Sequence, residues 1–552
     1  MIAEPNESPA PPEEEVKDAP LKEIIYYSMG TLENGLTGQF FSVLNTVMIV
    51  ALGMSPVLLG LILSIKTIWD GIADPIMAQI TDNARTRWGR RRPFILVGGV
   101  GRVLTLVAIF AFFPKDDSVK TNAQLAAEQK AKTELVAQPA QEKPGAAEEK
   151  PAVPKPAPPA SGMLATIKEG YTTFMAADKA YHQKVTIYLL VGCLLITSFG
   201  TIINVPYYAL GIELCPSYDG RTRVVTYRSI ADKVVGMLNP WILPFCFLPI
   251  FFNAIQGMLW YSIVCVVIGL PAVILMFLNI KERLAPVALK KNGEPSPQEK
   301  GPGMLRSIWL TAKNVHFLKI LFLYQFIGYT NGIFAQIGLF LTIYWVFAGD
   351  ALAGATMGGY AGTIANAVAF AALPLINWAC RRRQKHRALR YGILWMSIGT
   401  ALNWVLVNPA HPYWQLALPF FFALGISCVY TVLPTMMADV TDIDELQNGT
   451  RREGMFGAVM GFLMKLTGTL QPLLAGTVLV IAGFDASLGA HQTPETILRM
   501  RVMFSIVPAG LLLLALIALW RYPLTREYMA EVNEQLKVMR AKRRLEQAAA
   551  ES

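Results

Sequence analysis

Asp70 and Asp74 stand four residues apart in the apolar segment "IWDGIADPIM". On a helix that spacing puts both carboxylates on one face. Two like charges so close do not both stay ionised unless a cation or a basic group lies between them. Pro75 follows directly and, lacking an N–H, releases the carbonyl of Gly71 from its helical bond. Two carboxylates and a free carbonyl are a hard-oxygen set that suits Na+, or a proton shared by the acids. A purely structural use competes with this one, in which both acids pair with basic residues on neighbouring helices. Asp74 is also near the end of its apolar run, where a solvated carboxylate costs less.

Basic partners are available. Lys465 is central in "GFLMKLTGT", Lys66 precedes Asp70 by one turn, and Arg228 and Lys233 sit early in a later apolar run. Lys233 is close enough to a helix end to reach the headgroup level. Lys465 is too central for that: it either pairs with the aspartates or reaches a solute cavity, and it can do both at different stages. A second set is uncharged. Thr201 and Asn204 fall near one face of "TIINVPYYAL", where Pro206 loosens the helix and Tyr207 and Tyr208 add aromatic surface. Asn34, Gln325, Asn331 and Tyr430 add further neutral groups. Amides, hydroxyls and rings suit a polyhydroxylated ligand, although each alone is equally explained as an interhelical hydrogen bond.

These residues need a membrane-embedded scaffold. Of 552 residues, 53% are apolar and 16% charged, against about 25% charged in a soluble domain. Windows of ~20 apolar residues, long enough for a ~30 Å hydrocarbon core, occur about twelve times. They fall at 24–52, 55–81, 93–113, 185–214, 224–252, 256–280, 316–348, 354–380, 388–408, 412–441, 453–484 and 499–521. The expectation is an all-α membrane protein with a 24–280 six-helix bundle, a 281–315 middle loop and a 316–521 six-helix bundle. Tails at 1–23 and 522–552 flank them, and the first has no apolar core, so the first span is expected to be retained. The tail segment Arg526–Arg544 reads as a charged, solvated surface helix. An Ala/Pro/Lys/Glu loop at 114–184 cannot bury a core.

Arginines and lysines cluster after even-numbered spans (Arg85, Arg87, Arg90–Arg92; Arg221, Arg223; Lys281, Lys290; Arg381–Arg383; Arg451, Arg452), while the turns around Gly53, Asp350 and His411 hold few. The positive-inside rule then places both termini in the cytoplasm of a multi-pass cell-membrane protein. "GRRRP" at Gly89–Pro93 echoes "CRRRQ" at Cys380–Gln384, and "DGRTR" at Asp219–Arg223 echoes "NGTRRE" at Asn448–Glu453, so the halves are related. Paired halves with a central site are the plan of many alternating-access transporters. The net charge of +10 is spread between apolar runs, which argues against nucleic-acid binding. Six cysteines do not form a disulfide scaffold, and the five histidines show no metal or nucleophile spacing, so neither an enzyme nor a resident cofactor is expected.

"IWDGIADPIMAQITDNARTRWGRRRPFILVG" at Ile68–Gly98, "NVPYYAL" at Asn204–Leu210 and "MMADVTDIDELQNGTRREG" at Met436–Gly454, followed by Lys465, closely resemble the glycoside–pentoside–hexuronide:cation symporters, the melibiose-permease branch of the major facilitator superfamily. The resemblance implies a cation site at Asp70, Asp74 and Thr201. It implies a sugar pocket lined by Arg228, Tyr208 and Tyr430, with Lys465 near both. Three positions depart from the pattern. Asn204 stands where a galactoside-gripping aspartate is found, Asn34 or Gly35 replaces a span-one aspartate, and Gly461 replaces a hydroxyl residue.

The function expected is Na+- or H+-coupled uptake of a sugar or glycoside, with Asn34 and Asn204 among the solute-binding groups and a monomer as the unit. A lysophospholipid or hexuronate cargo, or a non-transporting membrane sensor, are the alternatives. Arg85, Arg87 and Arg90–Arg92 are expected to pair with helix ends or with Asp82 and Asp439 in a cytoplasmic gate, unless they are only positive-inside anchors.

Overall fold

The computed structural model describes residues 18–84, 86–114, 121, 122, 124, 179–215, 218–282, 314–448, 453–485, 488, 492–520 and 522–551. Twelve long helices follow the expected order. In the first half they are α1 (Leu21–Leu52), α2 (Pro56–Asn83), α3 (Arg92–Ala111), α4 (Lys179–Glu213), α5 (Tyr218–Leu238) and α6 (Ala254–Asn279). In the second they are α7 (Val315–Leu341), α8 (Ala351–Arg382), α9 (Lys385–Leu406), α10 (Leu418–Asn448), α11 (Glu453–Ile481) and α12 (Pro494–Ala518), and α13 (Arg526–Glu551) closes the chain. No strand occurs among the described residues.

Side-chain caps set several of the starts. Asn253 accepts the Gln256 amide at 2.9 Å, Asp350 the Ala353 amide at 2.8 Å and Thr493 the Thr496 amide at 3.2 Å, satisfying donors that a helix leaves unpaired. Gly53 ends α1 with φ 67°, the left-handed position that glycine adopts without strain.

Two of the spans are more polar than the rest, and one loop boundary is corrected. Among the described residues ten helices are long and apolar enough to cross a membrane; α5 and α9 fall short. The first carries Arg223, Arg228, Asp232 and Lys233, and the second opens on Lys385, His386, Arg387 and Arg390. Both hold their places by packing, α5 against α1 and α8, α9 against α10 and α12. The loop expected at 114–184 ends sooner, because α4 begins at Lys179. Asn122 docks on the turn after α5, its N–H donating to the Phe252 carbonyl at 2.9 Å and its Nδ2 to that of Leu248 at 3.1 Å. Residues 115–120, 123 and 125–178 of that loop, the N-terminal tail to 17 and the middle loop at 283–313 lie outside the described residues.

The apolar core has a shape that matters for function. One continuous cluster joins both halves at the end away from the arginine-rich connections, from Phe40, Val47 and Met54 through Ile337, Leu341 and Ala475 to Phe504. At the basic end there are two separate clusters. One is built on Tyr27, Ile203, Tyr207 and Met276, the other on Phe317, Leu389, Val432 and Leu536. The halves therefore meet at one end and part at the other.

The α2–α11 pair shows how. A Cβ on Gly60 would stand 2.8 Å from the Pro472 carbonyl, and one on Gly476 2.5 Å from that of Pro56, so these backbones touch. Ser64 Oγ also donates to the Thr469 carbonyl at 2.5 Å. Gly457 and Gly461, nearer the basic end, would meet nothing within 4 Å. A second seam joins the end of α5 to α8, where Gly362 packs on Pro240 and Asn366 Nδ2 donates to the Gly236 carbonyl at 2.9 Å. The molecule is a V open on its basic side.

The tail helix α13 is not the freely solvated element its charge suggests. Met529, Val532 and Leu536 are buried against the second half, and Arg540 makes a two-pronged contact with Glu445 of α10, at 2.9 and 2.6 Å.

Candidate functional site

Residues brought together at mid-depth define the site. Asp70, Thr201 and Lys465 lie 12 or 13 residues from the basic ends of α2, α4 and α11. At ~1.5 Å per residue that is ~18–20 Å, close to the centre of a bilayer core. Charges at this depth are retained for a reason, since each costs at least ~2.5 kcal/mol.

Lys465 reaches from the second half into the first. Its Nζ stands 3.2 Å from Asp70 Oδ2, donates to Asp74 Oδ2, and donates to the backbone carbonyl of Asp70 at 3.1 Å. The carbonyl recruited is one residue ahead of that of Gly71, which Pro75 releases. Thr201, 2% exposed, donates its hydroxyl to Asp70 Oδ1 at 3.4 Å. About a third of each of the three charged side chains remains accessible, so the cluster borders the opening between the halves. The ammonium lies between the two like charges, as their spacing requires. It is a tethered cation among oxygen ligands of the kind a free Na+ takes.

The neutral groups divide. Arg228 lies over the ring of Tyr208, with its guanidinium carbon 5.2 Å from the centroid, and no carboxylate within 4 Å is recorded for it among the described residues. Tyr208 is half exposed, whereas Tyr207 is buried, stacked on Tyr27 at 4.5 Å and bonded to Thr31 at 3.0 Å. Tyr430 is half exposed and edge-on to Tyr324. Asn204 has a buried Oδ1 with no partner. Gln325 serves helix packing, donating to the Leu463 carbonyl at 3.0 Å and accepting from Thr467.

Asn34 is tied to a residue the sequence reading passed over. Its Oδ1 accepts from Arg102 of α3 at 2.8 Å, which leaves its Nδ2 buried and unpaired. Arg102 pairs in turn with Glu33, whose side chain is wholly buried. A search for ionisable residues within apolar runs would have found both, in "TLENGL" and "GVGRVL".

The expected gate pairs differently. Arg90 and Arg91 contact Glu213 at 2.7 and 3.0 Å, and their amides with that of Arg92 converge on Glu282 at 2.8, 2.8 and 3.0 Å. Glu282 thereby caps α3, whose N-terminal dipole favours an anion. Asp439 pairs with Lys385 at 2.8 Å, inside the second half. These contacts brace each half instead of bridging the two by an Arg–Asp439 pair, because the halves are apart at this end. Arg85 lies outside the described residues, as does the side chain of Asp82.

With this geometry in view, the comparisons bear on identity. The profile of the family described as MFS/sugar transport protein matches residues 27–126 and 170–526. The chain is 22% identical over 533 residues to the glucuronide carrier protein homolog of Escherichia coli, covering 93% of this chain and 96% of that one. It is 23% identical over 564 residues to an uncharacterized symporter of Synechocystis, covering 88% and 90%. In fold it is similar to a D-xylose-proton symporter, with a TM-score of 0.53 at 14% identity over 91% of this chain and 97% of that one. It is also similar to a bacterial homolog of the human lysosomal transporter Spinster, with a TM-score of 0.57 at 12% identity over 94% and 97%. The chain belongs to the MFS/sugar transport protein family, and within it to the glycoside–pentoside–hexuronide:cation symporters that its second span resembles.

Proposed function

We propose that this protein is a cation-coupled symporter that takes up a sugar or glycoside by alternating access. The observation that carries the reading is Lys465 of one half held between Asp70 and Asp74 of the other at mid-membrane depth. With the ammonium in place the three side chains sum to one negative charge. A single Na+ or H+ neutralises them, and a neutral site crosses a low-dielectric barrier more cheaply than a charged one. Asp70, Asp74 and Thr201 are the ion ligands in this scheme. The incoming cation displaces Lys465 and loosens the only charged link from α2 to α11 recorded among the described residues. The neutral loaded halves then reorient, and the membrane potential, about 2.3 kcal/mol per charge for each 100 mV, favours return of the emptied, negatively charged site to the outer side.

Asn34, Asn204, Tyr208, Arg228, Tyr430 and the freed Lys465 form the solute pocket. Asn34 offers a donor and Asn204 an acceptor, a combination that matches a hydroxyl group. With the basic end in the cytoplasm, as the positive-inside rule has it, the open V is the state after release inward, with Lys465 standing where the ion was.

A hexuronate or glucuronide is the second reading. It is favoured by Arg228, which has no carboxylate partner within 4 Å among the described residues, and by Asn204 in place of an acid. The relative named a glucuronide carrier protein homolog is consistent with it. Proteoliposome uptake of melibiose and methyl glucuronide under imposed Na+ or H+ gradients tests both. Uptake that follows one gradient and one solute supports the scheme, and uptake indifferent to every ionic gradient overturns it.

A further inference from the structure

The Glu33–Arg102 pair has no part in the scheme above. Glu33 lies 12 residues into α1 and Arg102 ten into α3, at the same mid-membrane depth as Asp70. Side-chain exposure is 0% for the acid and 6% for the base. A pair so deeply buried is expected to be closely bonded, since desolvation outweighs a loose attraction. This one is loose. Arg102 Nε is 3.5 Å from Glu33 Oε1, Thr37 Oγ1 is 3.4 Å from the same oxygen, and neither Glu33 Oε2 nor Arg102 Nε has a hydrogen-bond partner. An orphaned oxygen on a sealed carboxylate calls for an explanation, and a proton supplies one: it turns that oxygen into a neutral hydroxyl and removes the buried charge.

Among the described residues no other carboxylate is recorded within 4 Å of Arg102. On α3 the facing charged group is Arg102, and on α6 Gly269 packs on the Glu33 side chain while Cys265 lies within electrostatic reach. Lys66 of α2 is near Arg102, with its ammonium 4.1 Å from the centre of the Phe41 ring. On α4, Gly200 makes room for the guanidinium beside Thr201, and on α5 it is Val235 that meets α1, at Gly35. Arg102 is therefore shared. One face meets Glu33, Nη1 donates to the Asn34 amide oxygen at 2.8 Å, and the guanidinium lies 3.8 Å from where a Cβ on Gly200 would stand.

We propose that Glu33 is a second ion-binding site, for a proton, separate from Asp70 and Asp74, and that Arg102 relays its charge state to Asn34 in the solute pocket. Loading takes a proton from water onto Oε2 and leaves Arg102 as an unmatched cation that turns more fully to Asn34; unloading returns the proton to water. Burial suits the role, because a sealed site exchanges its proton only when the carrier changes state. The scheme rests on the symporter reading for its consequence alone, and its test does not.

The test is infrared spectroscopy of the full-length protein in lipid, titrated over about pH 4 to 9. We expect a protonated-carboxyl carbonyl band that titrates in the wild type and in Asp70→Asn, is lost in Glu33→Gln, and returns with a moved midpoint in Glu33→Asp. A band absent from the wild type, or unchanged in Glu33→Gln, overturns the proposal. Should Glu33→Gln fail to fold by circular dichroism, Glu33→Asp and Arg102→Lys decide: a band whose midpoint moves in neither is not that of Glu33. Failure of solute uptake in proteoliposomes, with this band intact, would count against the symporter reading and not against the proton site.

Discussion

One ammonium between two carboxylates sets the logic at the level of residues. Removing either acid deprives a coupling ion of one of its three ligands and half of its carboxylate charge, so Asp70→Asn and Asp74→Asn should each lower gradient-driven accumulation in proteoliposomes by at least about tenfold. Gel filtration and circular dichroism should stay unchanged. Lys465→Gln removes a competitor for the same oxygens. A hydrogen bond to a charged group nets about 1.5–3 kcal/mol, and each 1.4 kcal/mol is tenfold in affinity. Na+ or H+ should therefore bind this variant about tenfold more tightly, read from the concentration that half-saturates the thermal shift, while solute accumulation falls. Asn204→Ala should weaken solute binding about fivefold, the value of one neutral hydrogen bond at about 1 kcal/mol, and leave the ion midpoint in place. The reverse pattern would take Asn204 out of the pocket. Most of these residues were legible in the sequence, because a charge in an apolar run is conspicuous. Glu33 and Arg102 were equally conspicuous, Glu33 being next to the Asn34 already singled out, but neither belongs to the motifs that carry the resemblance.

Helix pairs decide which end opens. On α2 and α11 the glycines at the closed end touch backbone, whereas Gly457 and Gly461 face open space. Gly60→Leu and Gly476→Leu should wedge that seam, at a cost of about 1–3 kcal/mol for overpacking. The carrier should shift towards the state open at the opposite end, seen as faster labelling of a cysteine placed beside Gly60. Gly461→Ala should leave labelling unchanged. The tail helix obeys the same rule of packing over composition. Its 26 residues include a run of charges that suggests a solvated surface, yet Met529, Val532 and Leu536 fall on one stripe and find α10. Arg540→Ala should remove the two-pronged contact with Glu445, only 5% exposed, that ties α13 to α10. We expect α13 to exchange amide hydrogens at least about tenfold faster, with uptake largely preserved.

For the whole molecule, the single core at one end and the divided core at the other make a two-state device in which little apolar surface must be re-buried to close the open side. A ligand shifts such an equilibrium only by its differential affinity for the two states. Because the proposed ion site draws on α2 and α4, and the solute pocket on α1, α4, α5, α10 and α11, ion and solute together span both halves and favour closure. Spin labels at the basic ends of α2 and α11 should move closer when Na+ or H+ and the transported solute are both present, and less with either alone. Distances unmoved by any combination would separate the cluster at Lys465 from transport.

The order of the twelve helices and their basic connections follow from the sequence alone, because lipid imposes a minimum length and an apolar surface on most of what spans it. Paired aspartates four residues apart declare their shared face by helical spacing alone. The partners of charged groups were decided only by the tertiary structure. Arg90 and Arg91 had acids near them in sequence, yet they found Glu213, and the amides beside them found Glu282, residues more than a hundred positions away. Asp439 found Lys385. Lys465 crossed from one half to reach Asp70, 395 positions distant. Such pairings depend on which helices lie side by side and which end of the V is shut, and these are properties of packing between halves that no local pattern records.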